Sequence, residues 1–294
     1  MLPGRSEQGP LSERRRDMVS VEDLHGLSAG QASVPDCKLF PQSPSAATRI
    51  AVLLAAALAG AAGGVALASA AGPQPLWAVL GAAAVAGGLL STWSPCGYSS
   101  ISLLRPDGRG LRAVAGWLPT FAMHGAGYGL GALMLGGLLG GIGLIAGFSG
   151  FGSTALLVLG LVGLAYGAHQ LDFLRVPYPQ RRAQVPHDAR QRFPKWVIGG
   201  LYGLSLGLDY LTYVQTPLLY MMTLAAVFTG NIAHAIAIVA LFNLGRFLPV
   251  AVNALPIPDY RVQAWLARHQ ENAALADGAI LTALGAGFTV LALI

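Results

Sequence analysis

Seven stretches of almost uncharged, apolar residues divide the chain, at about 50–71, 76–104, 113–137, 153–174, 197–228, 231–254 and 273–294. Each is near or beyond the ~20 residues that a helix needs to cross a bilayer. The pattern therefore predicts an all-α integral membrane protein with about seven transmembrane helices. The Gly- and Phe-rich stretch 138–152 has three readings: an extension of the third helix, a re-entrant piece, or a loop over the surface. Residues 1–48 are different in kind, polar and rich in Pro, Ser and Gln, with the run Arg14-Arg15-Arg16. They are expected to form a disordered cytosolic tail ahead of a polytopic membrane domain at 49–294. The tail is too long and too mixed for the short basic region of a cleaved signal, so the first hydrophobic segment is expected to stay as an anchor.

Composition agrees with this division. Hydrophobic residues make up 54% of the chain and charged residues only 11%, and the mean hydropathy is +0.58, far from the values of a soluble domain. The 39 glycines are scattered through the apolar runs, where small residues let helix backbones approach closely. A net charge of +5 does not point to nucleic acid, because the basic residues lie between hydrophobic segments and not on one compact face.

Lysine and arginine set the expected orientation. With the N-terminus in the cytosol, the inner segments are 1–49, 105–112, 175–195 and 255–272, and they hold six, three, six and two of the 18 basic residues. The remaining one, Arg246, lies within a span, and none falls in the outer connections 72–75, 148–152 or 229–230. This asymmetry predicts seven spans with a cytosolic N-terminus and a C-terminus on the opposite side of the membrane. Six or eight spans would put basic loops on both sides.

Two spans carry the same interruption. Ser94-Pro95-Cys96-Gly97-Tyr98 in the second matches Thr216-Pro217-Leu218-Leu219-Tyr220 in the fifth: a hydroxyl residue, a proline, two variable positions and a tyrosine. Proline removes a backbone donor and clashes with the preceding turn, so each helix must open there. Irregular backbone survives at membrane depth only inside protein or beside a water-filled cavity. The two spans run in opposite senses, which predicts one N-terminal helix followed by two inverted three-helix repeats, about 76–174 and 197–294. Their broken helices would face each other around a central site, lined by Ser94, Pro95, Thr216, Pro217 and Leu218.

The Ser-Pro-Cys break at the start of such a repeat resembles the transmembrane thiol–disulfide transporters of the cytochrome c biogenesis and DsbD type, in which each broken helix carries one cysteine of a redox pair. Gln215-Thr216-Pro217, Thr229-Gly230 and Leu244-Gly245-Arg246-Phe247-Leu248-Pro249 are similar to that family's second half. The second cysteine is missing, its place taken by Leu218, so a complete two-cysteine relay is absent. The fuller string from Leu90 to Pro106, and the chain from about residue 48 onward, resemble most the F-type methylamine utilisation membrane proteins, relatives of those transporters. That resemblance implies a part in making periplasmic methylamine dehydrogenase, whose small subunit carries many disulfides and a tryptophan-derived quinone. The implied partners are the lipid bilayer, other methylamine-utilisation maturation proteins and the dehydrogenase small subunit, with no nucleic acid. The role would take the form of thiol–disulfide assistance or help in exporting that subunit.

Cys96 is then the candidate catalytic thiol, since exchange proceeds through a mixed disulfide formed by one attacking thiolate. The competing reading is a small buried residue packed beside a kink. Cys37, in the polar tail, is expected to be dispensable. Asp209 in the fifth span is a candidate for proton handling or for a helix-locking ion pair with Arg246 in the sixth. His124 and His234 lie in the helices after each break, but without metal-binding spacing they read as hydrogen-bonded packing residues. Asn231 is placed to cap the sixth helix. No phosphate loop, nucleophile elbow or cofactor fingerprint is present, so neither a resident cofactor nor a stand-alone enzyme is expected. A small-solute or ion transporter on the same inverted-repeat scaffold is the alternative function, with Pro95, Pro217 and Asp209 along its path.

Overall fold

The computed structural model describes residues 43–294 except 109, 178 and 180–192; the expectations for the tail and for Cys37 lie outside them. The described residues form ten α-helices and no strand. α1 (Ala46–Ser69) begins at Ser45, whose hydroxyl accepts the Thr48 N–H at 3.1 Å and so satisfies one of the donors a helix start leaves open. The second apolar run becomes α2 (Gln74–Leu90), a 3₁₀ turn (Ser91–Trp93) and α3 (Pro95–Leu103). α4 (Leu111–Ile145) runs for 35 residues, so the Gly-rich stretch extends the third helix as far as Ile145. There Gly136 and Gly140 lie against the backbone of Ile236 and Ile232, where a side chain would not fit. Gly147, at φ 79, takes the left-handed conformation that closes the helix before α5 (Ser153–Gln170).

The fifth run departs from the single helix expected of it. It splits into α6 (Lys195–Gly207) and α7 (Leu218–Phe228), with no helix over 208–217. The break is therefore not a kink at Pro217 but a ten-residue unwound passage that ends there. α8 (Ile232–Phe247) follows, capped by Asn231, whose side chain accepts the His234 N–H at 3.1 Å. It continues through a 3₁₀ segment (Leu248–Ala254) to α9 (Asp259–Arg268) and α10 (Gln270–Leu293). The basic connection 255–272 thus contains a helix of its own, with Val262 and Leu266 buried and Arg261 and Arg268 exposed.

Among the described residues, six helical segments are long and apolar enough to cross a membrane. The paired short helices α6 and α7 account for a seventh passage. Leu54, Leu58, Leu130, Leu133 and Leu138 are exposed along α1 and α4, as side chains facing lipid tails should be. The main helix interfaces are α5 with α10, α4 with α6, α1 with α10, α4 with α8 and α2 with α8. Glycine permits each of these approaches. A side chain at Gly127 or Gly131 of α4 would collide with the backbone of Gly200–Leu204 or Gly207 in α6. Gly88 of α2 and Gly245 of α8 meet backbone to backbone, as do Gly163 and Gly285.

Ion pairs gather the described parts of the basic segments. Arg105 binds Asp259 at 3.0 Å, Lys195 binds Asp107, and Arg49 binds Asp172. The ends of α3 and the starts of α4, α6 and α9 thus meet, as do the start of α1 and the end of α5. Both meetings lie on the side that the charge asymmetry assigns to the cytosol.

Candidate functional site

The first break is held open by its own serines. Ser94 adopts an extended conformation, accepts the Gly97 N–H at 3.3 Å and donates to the Ser91 carbonyl at 2.6 Å, while the Ser91 hydroxyl donates to the Gly88 carbonyl at 2.6 Å. Pro95 occupies the first turn of α3, where its missing N–H costs nothing. Gly97 is required by space, because a Cβ there would sit 2.8 Å from Thr92 Cα. Cys96 follows, only 3% exposed, packed with Tyr128 of α4, Leu206 of α6 and Phe247 of α8. Its thiol lies beside Thr212 and Tyr213 of the unwound passage, with Arg246 nearby. The two helix breaks therefore meet at Cys96.

What it meets differs from the expectation. Leu218 belongs to a separate buried cluster, against Gly87 of α2 and Phe242 of α8, because the unwound passage begins at Leu208, well before Pro217. Thr212→Cys should therefore form a disulfide with Cys96 under mild oxidation, whereas Leu218→Cys should not, since a bridge needs Cα atoms within ~7 Å. Loss of both free thiols from Thr212→Cys alone, measured by mass after alkylation in a chain carrying Cys37→Ser, checks this.

The end of α6 faces the same place. Its last carbonyls have no helical partners, and in a buried setting they must find donors. Arg246 supplies one to the Leu206 carbonyl at 2.7 Å, and Asn243 supplies others to Gly207 at 2.9 Å and to Tyr128 of α4 at 3.2 Å. Arg246 also donates to Asp209 at 2.6 Å, with both side chains buried. Asp209 stands at φ 52, a left-handed conformation that carboxamide and carboxylate residues tolerate better than most. The expected Asp209–Arg246 pair is thus present, and it fastens α8 to the opened end of α6.

The two histidines are separated. His124 is fully buried, its Nδ1 3.0 Å from the Gly199 carbonyl and its ring edge-on to Tyr128 at 5.0 Å. His234 lies exposed at the start of α8, its ring 4.6 Å from that of Trp77. Among the described residues no three His, Cys, Asp or Glu side chains come together as a metal site.

Sequence reasoning passed over Asn243 and Asp277. Asn243 stands three residues before Arg246, the spacing that places two side chains on one helix face. Asp277 is a carboxylate inside the last apolar run, and it accepts from Thr216 at 2.6 Å, next to the second proline.

Comparison with known proteins places the chain. It is 65% identical to the methylamine utilization protein MauF of Paracoccus versutus over 277 residues, 94% of this chain and 100% of that protein. The chain belongs to the methylamine utilization protein MauF family. The MauF of Methylorubrum extorquens is 57% identical over 88% of this chain and 92% of its own. That of Methylobacillus flagellatus is 52% identical over 90% and 95%. No family model matches the chain, and no solved structure does. The likeness to MauF proteins spans most of the membrane domain, both helix breaks included.

Proposed function

We propose that this chain acts in methylamine utilisation as an inner-membrane assembly factor for periplasmic methylamine dehydrogenase, with Cys96 as an exchange thiol for its disulfide-rich small subunit. The name shared by its relatives supports a part in methylamine utilisation. The observation that carries the thiol role is the place of Cys96, at the meeting of two helix breaks and beside a cationic side chain. The interfaces of α2 with α8 and of α4 with α6 exchange with each other, and those of α4 with α8 and of α5 with α10 map onto themselves, if the two repeats are interchanged. That pattern supports an inverted-repeat scaffold with the breaks at its centre.

A single cysteine suffices for isomerisation. The Cys96 thiolate attacks one sulfur of a wrongly paired substrate disulfide, forming a mixed disulfide and releasing a substrate thiolate, which takes up the proton that Cys96 lost. A different substrate thiolate then attacks the mixed disulfide at the substrate sulfur, makes the new substrate disulfide and frees Cys96. No net oxidation occurs, so the missing second cysteine at Leu218 is not needed. Because Cys96 is nearly covered, the passage 208–217 must move aside for the substrate to reach it. Removal of the gene should leave the dehydrogenase small subunit incompletely or wrongly disulfide-bonded, and its return should restore the native pairing, read by mass mapping of the periplasmic protein. Native pairing in the deletion strain would reject the reading.

A second reading, a small-solute or ion transporter, is favoured by the buried Asp209 and Asp277 beside the second break. It predicts that methylamine or ion uptake into cells, and not disulfide pairing, fails on deletion.

A further inference from the structure

The two acids buried near the second break are held in different ways. Asp209 has a guanidinium partner. Asp277, 2% exposed on α10, has two neutral ones: Thr216 donates its hydroxyl to Oδ1 at 2.6 Å, and Gln170 of α5 donates its amide to Oδ2. No ion pair reaches Asp277 among the described residues. A buried carboxylate without a counter-charge is costly, and an ionisable group inside a span implies a use. One feature offsets that cost. Thr216 Oγ1 also accepts the Leu218 N–H at 3.2 Å, so the hydroxyl bridges Asp277 to the start of α7, where the helix dipole favours negative charge. The carboxylate is thus supported in either state, by burial when neutral and by the helix end when charged.

The titratable groups on the neighbouring elements are occupied elsewhere. On α5, the His169 Nδ1 accepts the Val176 N–H at 2.9 Å, and Tyr166 stacks on Tyr220 of α7 at 5.2 Å. In the unwound passage Asp209 pairs with Arg246 and Tyr210 bonds Thr223; Tyr213 lies at the Cys96 side. Arg49 of α1 binds Asp172, while Glu271 lies nearly two turns before Asp277 on α10. Tyr260, Arg261 and Arg268 of α9, and His269 after it, precede the start of α10. None bonds to Asp277.

We propose that Asp277, with Thr216 and Gln170, is an intramembrane proton-binding site whose occupancy sets how firmly the second helix break is held to α5 and α10. Ionised, the carboxylate makes a charge-assisted bond to Thr216 and fastens the residue before Pro217. Protonated, it gives up that charge, the bond weakens, and the start of α7 is freed to move. Cys96 takes no part, so failure of this site would leave the thiol reading standing, and failure of the thiol reading would leave this site.

Infrared difference spectra of the full chain in lipid nanodiscs, taken from about pH 4 to pH 9, the span over which buried carboxyls titrate, test the proposal. A protonated-carboxyl C=O band is expected that shifts in heavy water and disappears as pH rises. It should be missing from Asp277→Asn, displaced in Asp277→Glu and retained in Cys96→Ser. Backbone hydrogen exchange in 214–218, corrected for intrinsic rates, should quicken about tenfold where the band is present, the difference between a charged and a neutral hydrogen bond. In Asp277→Asn it should be fast throughout. If that variant does not fold, the displaced band of Asp277→Glu still assigns the proton to this residue. A band indifferent to both substitutions, no band at any pH, or exchange in 214–218 that ignores pH would overturn it.

Discussion

Arg246→Ala is expected to destabilise the folded protein by about 3–5 kcal/mol, the cost of breaking a buried ion pair by removing one partner. The truncation leaves Asp209 as an uncompensated charge and takes one donor from the Leu206 carbonyl at the opened end of α6. Arg246→Lys keeps the charge but cannot place two donors as the guanidinium does, and should cost about 1–2 kcal/mol. Adding Asp209→Asn to Arg246→Ala should recover part of the loss, because the stranded charge is then gone. Thermal unfolding in detergent, followed by size-exclusion chromatography, gives all three comparisons. An Arg246→Ala protein as stable as the parent would mean that the pair does not fasten α8 to α6.

Cys96→Ser is expected to lower methylamine dehydrogenase activity to that of a strain lacking the gene, while changing the stability of the membrane protein by no more than about 1 kcal/mol. Serine fills nearly the same space between Tyr128, Leu206 and Phe247. It cannot attack a disulfide, because that step needs a thiolate. The separation of the two readouts matters: a packing role for Cys96 predicts a small loss in both, a chemical role a complete loss in one. Cys37→Ser should keep full activity. The periplasmic extract of complemented strains supplies the activity, and the purified variant supplies the unfolding midpoint.

Much of this architecture was legible in the sequence because lipid leaves few alternatives. Long uncharged runs had to be helices, Pro95 and Pro217 had to open two of them, and Asp209 and Arg246 stood as opposite charges in consecutive spans. The extent of the second break was not legible. Residues 208–217 contain Leu, Tyr, Val and Thr, which read as part of an apolar helix; only the packing of Asn243 and Arg246 against the carbonyls of Leu206 and Gly207 shows that α6 stops there. That early stop is also why Cys96 meets Thr212 and not Leu218. α9 was hidden for another reason: the connection 255–272 was weighed for its arginines, although Val262 and Leu266 stand four apart, the spacing of one buried helix face. Asp277 was overlooked because its partners, Thr216 and Gln170, are neutral and far away in the chain, whereas Arg246 announced itself by charge.

If Cys96 exchanges disulfides with the dehydrogenase small subunit, a mixed disulfide between the two can be trapped. In cells whose small subunit lacks one cysteine of a pair, the exchange has no thiol to complete it, so the intermediate should accumulate. Acid quenching, alkylation and non-reducing electrophoresis should then reveal a species that joins Cys96 to a small-subunit cysteine, is released by reductant and is absent from Cys96→Ser. Contradiction would take the form of a Cys96 thiol that stays unmodified until the protein is unfolded, with no joined species, in cells where the unaltered small subunit matures normally.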